Sequence, residues 1–336
     1  MNWSVAETFD RIRNRLPASL SRSALDRCAR IAARVPDDAS SHYLEYRLNV
    51  GSRVDFLTCS RRRSIAARFD EQLGTNRSRI WAENVAILRE WAANGSELSA
   101  APFVWFEYDG GDDFVAEEPE ASLVIGLEED YTSRHWKGFR GAEPETAALG
   151  RVAYRRLLPD ATRQAYMSVL ERCYAALPPM GAMPHAAVMS AREPITAKPY
   201  VILPRESLFD FLDKVGWPGS REALDELLRT YYAPFRKSIY IDLTVTDRVN
   251  GRLGIATSQF QRLEADFSSL DWWRLPTGLA HFRDELRGWP GHSEEMLGGQ
   301  RVWIHRWLDT KAVLNGTEIE YKAYLGFSPT RLPLFC

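Results

Sequence analysis

The sequence predicts an α+β fold made of two related antiparallel-sheet units with flanking helices. Three observations lead to this fold class. Segments with helical spacing of apolar residues are interspersed with short segments in which every second residue is apolar. The two halves of the chain present these segments in a similar order, and the Pro- and Gly-rich stretch 178–184 separates them. We therefore expect one unit at 1–185 and a second, ending in a β-hairpin, at 186–336. An internal duplication stays open, since the halves share little sequence identity.

The helices are predicted from apolar residues at helical spacing and from signals at their ends. In the first helix Val5, Phe9 and Ile12 lie on one face, and Ser4 with Glu7 forms a capping box. The same criteria predict helices at 5–16, 21–35, 64–73, 79–93, 145–157, 161–176 and 206–215, around 224–228, and in a Trp-rich region at 260–287.

The strands are predicted from alternation between apolar and polar residues, bounded by turn residues. Ile239, Ile241 and Leu243 share one face of such a strand, and Asn250-Gly251 turns the chain into the next. The predicted strands cover 43–50, 54–59, 103–108, 123–127, 199–203, 239–245 and 253–258, and the two arms of a terminal hairpin at 301–314 and 317–327.

The terminal hairpin has the strongest local signal in the chain. Asn315-Gly316 stands between two alternating segments, and both residues tolerate the positive φ of a two-residue turn. Such a turn places Leu314 opposite Thr317 and fixes the register. The register pairs Lys311 with Glu320, Asp309 with Lys322, and Trp307 with Tyr324.

The two faces of this hairpin differ in character. One face is apolar and predicts a core, interrupted by Arg306, which needs a partner because an unpaired buried charge is costly. The other face carries His305, Trp307, Lys322 and Tyr324, a combination that suits an extended peptide, an aromatic side chain or a prenyl diphosphate. An ordinary solvated face is the alternative that stays open.

Further candidate binding residues lie in the middle of two other predicted strands. Glu107 and Asp242 are acids in comparable positions beside aromatic residues, with Trp105 two positions before Glu107. Acids on an aromatic surface bind a ligand or face water, and the sequence leaves both interpretations open.

Composition excludes several classes of function. The 336 residues are 45% hydrophobic with a formal net charge of −2, which gives no electrostatic reason to expect nucleic acid. No segment approaches the ~18 apolar residues that a membrane span requires. The four cysteines are widely spaced and form no C-x-x-C, and the N-terminus lacks a long apolar segment. We therefore expect free thiols in a reducing cytoplasm.

Standard catalytic and metal-binding motifs are absent from the sequence, including the Gly-rich phosphate-binding loops, G-x-S-x-G and H-E-x-x-H. His292-Ser293-Glu294, followed by His305, only weakly matches an iron site with two histidines and one carboxylate. The acidic stretch from Asp109 to Glu118 lacks the spacing of a calcium loop. We predict no metal and no cofactor, and the sequence leaves open whether the protein is an enzyme.

Three groups of short motifs resemble a known family. They are Glu320–Phe327, Val104–Asp109 with Ser122–Leu127, and Ile241-Asp242-Leu243 with Leu253-Gly254-Ile255 followed by Gly288-Trp289-Pro290-Gly291. The chain resembles bacterial proteins encoded in gene clusters for ribosomally made, modified peptides, among them the peptide-binding proteins of the crocagin pathway.

The resemblance implies that the chain binds a precursor peptide and presents it or assists its cyclisation. Other enzymes of the same cluster are implied as partners, and a homodimer stays open. The binding mode we expect is an extended peptide along a sheet edge or groove, with main-chain hydrogen bonds for affinity and pockets for side chains.

Two rival functions stay open beside peptide binding. The first is an enzyme of aromatic-prenyltransferase type, whose barrels also alternate strand pairs with helix pairs and are lined by Lys, Arg and Tyr. The number of inward strand positions that carry Lys or Arg discriminates this rival from peptide binding. The total of only six Lys counts against a diphosphate site, although Arg could substitute for Lys. The second is an oligomeric scaffold, which a large exposed apolar patch without a pocket would favour.

Overall fold

The structure, a computed structural model, describes residues 4–35, 41–48, 53–61, 63–73, 78–109, 120–128, 144–231, 238–256, 286, 288–289 and 291–331. The strands are β1 (Ser41–Arg47), β2 (Val54–Ser60), β3 (Phe103–Tyr108), β4 (Ala121–Gly126), β5 (Ala182–Met189), β6 (Thr196–Pro204), β7 (Ser238–Val245), β8 (Val249–Ala256), β9 (Gly291–Leu297), β10 (Gln300–Asn315) and β11 (Glu318–Arg331). The helices are α1 (Val5–Ile12), α2 (Arg22–Ala32), α3 (Ile65–Leu73), α4 (Arg79–Ala92), α5 (Pro144–Leu157), α6 (Asp160–Ala176), α7 (Leu208–Val215) and α8 (Arg221–Tyr231).

Ten strands close into a single antiparallel barrel. They follow the order β1 to β8, then β10 and β11, and β11 pairs with β1 as well as with β10. The expected pair of separate sheet units is therefore wrong. Most hairpins have a local signal in the sequence, but β5 is not predicted, and the pairings that join one hairpin to the next, such as β4 with β5, have no local signal. The boundary expected between residues 185 and 186 falls inside β5.

Helix pairs and strand pairs alternate along the chain, so each strand pair up to β8 follows a helix pair. The apolar face of each helix packs against the outside of the barrel. Phe9 of α1, for example, lies with its ring centroid 6.3 Å from that of Phe56 in β2. The Ser4 side chain accepts a hydrogen bond from the Glu7 backbone N–H and starts this helix where the sequence predicts it. The main core therefore lies between the barrel wall and the helices.

Strand side chains that do not face the helices point into the barrel, because side chains alternate along a strand. In β1, Leu44 and Tyr46 belong to the outer core, whereas Tyr43, Glu45 and Arg47 face inward. A second, smaller apolar cluster lies on the inner surface and consists of Val124, Ala187 and Met189 with Trp105 and Tyr200.

The turn of the β10–β11 hairpin is displaced by one residue from its expected position. β10 continues through Asn315, which pairs with Glu318, so Gly316 and Thr317 form the two-residue loop. Gly316 has φ +65°, the left-handed conformation that both hairpin turn types with two-residue loops require at this position.

The expected hairpin register is wrong as a consequence. Asp309 lies opposite Tyr324, Trp307 opposite Gly326, and Lys311 opposite Lys322. The shift is by two residues, so every side chain stays on the face predicted for it. The expected ion pairs within the hairpin do not form, because the two lysines pair with carboxylates on other strands. Lys322 pairs with Glu45 of β1, and Lys311 pairs with Asp242 of β7.

Arg306 is the charged residue that interrupts the outer face of β10. It is buried opposite Phe327, and its guanidinium lies 5.5 Å from the centroid of the Trp289 ring. A cation over the face of a tryptophan is favourable, so Trp289 supplies the partner that the sequence requires. The indole N–H of Trp289 in turn donates to the carbonyl oxygens of Trp307 and Gly326, at 2.9 and 3.3 Å.

Cys28 and Cys173 are buried free thiols, and Cys59 is buried as well. Burial raises the pKa of the Cys28 and Cys173 thiols to about 12, which makes them poor nucleophiles. Cys336, the acidic loop beyond Asp109 and the Trp-rich region 260–287 other than Leu286 lie outside the described residues. In the part of the chain that the structure describes, no helix has the length and apolar character to cross a membrane.

We expect Gly326→Ala to destabilise the protein by about 1–3 kcal/mol, because overpacking forces neighbouring groups to shift. A Cβ at this position would collide with the indole ring of Trp307, which packs over Gly326. Urea unfolding measures the change. Gly251→Ala is the matched control, since the nearest atom to its added Cβ is Pro218 Cγ at 4.0 Å. Equal unfolding free energies for the two variants would show that Trp307 is not held against Gly326.

Candidate functional site

One level of the barrel lumen is filled by ionisable side chains. We call this set the charged cluster: Glu45, Arg47, Arg53, Asp55, Glu107, Asp109, Arg192, Lys198, Asp242, Arg252, Lys311, Glu320 and Lys322. Most of its members are buried or half-buried, although charged side chains are rarely buried unless they are paired. The cluster therefore depends on close pairing between strands.

Two lysines of the hairpin make the most buried of these pairs. Lys322 Nζ contacts Glu45 of β1, and Lys311 Nζ contacts Asp242 of β7. Burial alone would raise the pKa of each carboxyl, but the neighbouring lysines outweigh it and hold the pKa of Glu45 well below its ordinary value and that of Asp242 below its own. Both carboxylates are therefore ionised at neutral pH.

Gly254 leaves room for the contact between Lys311 and Asp242. It lies on β8, between the strands that carry Asp242 and Lys311, and is directly opposite Asp242. A Cβ at this position would collide with the Asp242 carboxylate and with the Lys311 side chain. Because Gly254 has no side chain, the ion pair between Asp242 and Lys311 can occupy the space above it.

Arg192 links Glu107 of β3 with Asp109, which directly follows this strand. Its guanidinium donates two hydrogen bonds of 2.6 Å to Asp109 and contacts Glu107 as well. Burial would lower the pKa of Arg192, but Glu107 and Asp109 together raise it above its ordinary value. Arg53 also donates to Asp109, at 3.2 Å, and so connects this group to Asp55 on β2.

Glu45, Asp55 and Glu107 bring their carboxylate oxygens within 4.8 Å of one another. Three buried acids at this distance resemble a cation site. Each of them, however, contacts a lysine or an arginine of the charged cluster, which already supplies the compensating positive charge.

Lys198 differs from the other lumenal cations. It is buried on β6 and, within the described residues, makes no ion pair. Burial and the nearby Arg192 lower its pKa to about 7, against the opposing effects of Asp242 and Glu107. A lysine with this pKa exchanges its proton near neutral pH.

A partly open cavity of ≈ 140 Å³ adjoins the charged cluster. Aromatic rings form much of its wall, and Glu107, Asp242 and Lys311 bring the charged cluster to its surface. The lining residues are Tyr43, Leu57, Trp105, Glu107, Val124, His185, Tyr200, Tyr240, Ile241, Asp242, Ala256, Asp309, Thr310, Lys311 and Tyr324.

His185 is held as a neutral group in this wall. Its Nδ1 lies 3.0 Å from the Tyr240 hydroxyl, and its ring meets that of Tyr200 edge-on at 5.6 Å between centroids. Burial lowers its pKa to about 3, so the imidazole carries no charge at neutral pH.

Among the carboxyl groups that line the cavity, Asp309 has an environment different from those of Glu107 and Asp242. It is 7% exposed, and burial raises its pKa to about 8. Its Oδ1 has no hydrogen-bond partner among the described residues. Glu107 and Asp242, in contrast, are paired with Arg192 and Lys311. Asp309 therefore retains its proton at neutral pH, whereas the neighbouring Lys311 keeps Asp242 ionised.

The seven candidate site residues all lie on the inward faces of their strands, in two groups. Trp105, Glu107, Asp242 and Tyr324 line the cavity together.

The other three surround the cavity residues. Lys322 is buried in the charged cluster, Trp307 donates from Nε1 to the Tyr43 hydroxyl at 3.0 Å, and His305 stacks on Trp307 at 5.7 Å.

Sequence reasoning missed several lumenal residues, among them Tyr200, His185, Lys198, Asp309 and Arg192. His185 lies in β5, where the sequence predicts no strand, and Lys198 lies just before the predicted strand 199–203. Alternation assigns Tyr200 and Asp309 to one face of their strands, but it does not tell a lumen from solvent before the barrel is known to close. Arg192 follows β5 in a loop, where no periodicity applies.

The weak metal pattern is not assembled. His292 lies directly opposite His305 in the β9–β10 pairing, but Glu294 is exposed and forms an ion pair with Arg301 at 3.3 Å. Among the described residues, the one group of acids, histidines and cysteines with the spacing of metal ligands is the acidic trio of the charged cluster.

No family model matches the chain, and no curated protein matches it. Among solved structures, the crystal structure of AnaPT from Neosartorya fischeri is similar, with 11% identity and a TM-score of 0.48 over 85% of this chain and 78% of that chain. This likeness is too distant to indicate a function.

We expect Lys322→Met to destabilise the protein by about 3–5 kcal/mol, because it leaves the buried Glu45 without its closest cation. Urea unfolding measures the loss. Arg229→Met is the control, since its ion pairs on α8 are exposed and should contribute little. The double variant Glu45→Gln with Lys322→Met should recover part of the loss. Equal effects of Lys322→Met and Arg229→Met would contradict the buried pair.

We expect Asp309→Asn to change how stability depends on pH. The pKa of Asp309 is about 8 in the folded protein, against an ordinary value of 3.8. Its stabilising contribution is thus fully present below about pH 4 and is lost as pH rises through about 8. Between these limits the unfolding free energy of the variant should rise relative to that of the wild type. Above about pH 8 the difference between the two should stay constant. A difference that stays constant from pH 4 to 9 would show that the Asp309 pKa is not raised.

Proposed function

We propose that the barrel binds one aromatic ring of its ligand in the lumen, and that this ligand is an unmodified precursor peptide. The observation that carries the first statement is the size and lining of the cavity. Its volume of ≈ 140 Å³ is close to that of an engineered protein cavity of about 150 Å³ that binds benzene. Five of its lining residues are Tyr or Trp, which favour stacked and edge-on contacts with another ring.

The barrel also changes the binding mode that we propose for the peptide. A closed barrel has no free edges, so an added peptide strand finds little opportunity for main-chain pairing. Among the described strands, β9 alone pairs on one side only. A peptide side chain that enters the lumen uses the aromatic wall instead. The proposal that the ligand is a peptide is supported by the sequence resemblance, and the cavity supports a single aromatic side chain as its anchor.

An enzyme that transfers a prenyl group to an aromatic ring is the second candidate. A specific observation favours it: five inward strand positions carry Lys or Arg, namely Arg47, Lys198, Arg252, Lys311 and Lys322. Of the four lysines that the structure describes, three are thus in the lumen.

Two further observations rank this enzyme second. Within the described residues, each of these cations except Lys198 contacts a carboxylate, so little positive charge is left for a diphosphate. The cavity is also smaller than the roughly 300–1,000 Å³ typical of ligand sites, and a prenyl diphosphate would have to share it with an aromatic acceptor.

We expect Trp105→Ala to weaken binding of a candidate unmodified precursor peptide by more than about tenfold. Truncating an aromatic anchor often costs about 2 kcal/mol or more, and ~1.4 kcal/mol corresponds to tenfold. Calorimetry measures the affinity. Phe209→Ala removes an aromatic ring from α7, which lies outside the barrel and contacts Arg221, and it should leave binding unchanged.

The same experiment separates the two candidates. A folded Trp105→Ala variant that binds the peptide like the wild type would contradict binding in the lumen. If the wild type binds no peptide but binds dimethylallyl diphosphate and prenylates a tryptophan derivative, the transferase replaces our proposal. Lys198→Ala should then abolish diphosphate binding, whereas peptide binding by the same variant should change little.

A further inference from the structure

The polar groups of the cavity differ in whether the protein itself supplies their hydrogen-bond or ion-pair partners. Glu107 contacts Arg192, Asp242 contacts Lys311, and His185 lies within hydrogen-bond distance of Tyr240. Among the described residues, Asp309 is the cavity-lining residue with a buried side-chain oxygen, Oδ1, that has neither a hydrogen bond nor an ion pair. A buried polar atom without a partner is costly, so a ligand that supplies a donor there gains affinity from the group it satisfies.

The pairing of β10 explains why Asp309 has no partner. β8 pairs with residues 311–314 of β10, and β9 pairs with residues 300–306. Between these two ladders, residues 307–310 pair with β11 alone among the described strands. The paired carboxylates Glu45 and Asp242 each meet a lysine from another strand, whereas Asp309 faces Tyr324 across the hairpin.

We infer that the cavity selects an aromatic ring that carries its own hydrogen-bond donor, an indole in the first place, and that Asp309 accepts that hydrogen bond. The inference rests on the proposed binding of an aromatic ring in the lumen. An indole fits the requirement because its N–H is a donor with no acceptor function, and its donor is fixed in the plane of the ring. A flexible ammonium group would need room beyond a ring-sized cavity.

The protonation state of Asp309 is compatible with this role. Burial keeps the proton on the carboxyl group at neutral pH, and the oxygen without the proton is still an acceptor. A neutral acid also avoids placing an uncompensated charge beside a neutral ring. Such a site discriminates against an analogue that lacks the donor, because binding of that analogue leaves the buried Asp309 oxygen without a hydrogen bond.

The test compares two probes of nearly the same shape: N-acetyl-tryptophan amide and its 3-benzothienylalanine analogue, in which sulfur replaces the indole N–H. We expect the wild-type protein to bind the indole at least about tenfold more tightly, measured by ligand-observed NMR titration. Asp309→Leu should remove the preference while the benzothienyl compound still binds. Asp309→Asn retains a carbonyl oxygen at the same place and should keep part of the preference.

The possible outcomes separate this inference from the proposed function. If both probes bind the wild type equally and Trp105→Ala weakens both, the ring binds in the lumen and the role of Asp309 is refuted. If neither probe binds at millimolar concentration, the lumen is not a site for an aromatic ring, and both proposals fail. An indole preference that persists unchanged in a folded Asp309→Leu variant would also overturn the role of Asp309.

Discussion

The pairing of β11 with β1 is the interaction on which the rest of the structure depends. It joins the last described strand to the first and converts a ten-strand sheet into a barrel. It also brings Lys322 against Glu45, a buried pair whose partners are separated by most of the chain. Without this closure the inward faces of the strands would face water, and neither the charged cluster nor the aromatic cavity would exist.

Burial of so many charges has a physical consequence for specificity. A buried ion pair contributes little net stability when compared with well-packed apolar residues, but breaking it is costly, because one charge is then left uncompensated. The charged cluster thus penalises any strand register that separates its pairs. The contact between Lys311 and Asp242 over Gly254 shows how narrow the tolerance is, since one added methyl group would occupy the space of the ion pair.

Local features, such as the face on which a side chain lies, can be predicted from the sequence more reliably than the strands and ion pairs that come together. The faces of β10 and β11 are assigned correctly because the two-residue period survives a register shift of two. The register itself is missed, since charge pairing within the hairpin is outweighed by pairing with Glu45 and Asp242, which lie far away in the chain. The barrel is missed for the same reason. The candidate residues nevertheless share the lumen, because the mixture of aromatic and charged side chains on a strand face marks an interior that is neither core nor solvent.

The electrostatic state of the lumen decides which ligand chemistry fits it best. An anionic ligand would have to draw lysines and arginines away from carboxylates that they already contact, and the freed carboxylates would then be buried without partners. A neutral aromatic ring requires no such rearrangement, because it fills space beside the charged cluster and leaves the ion pairs intact. Lys198 is the cation for which this argument is weakest, since it has no ion pair in the described residues and a pKa of about 7. A lysine that is half deprotonated at neutral pH, however, holds an anion less strongly than a fully charged one, so the balance still favours the neutral ring.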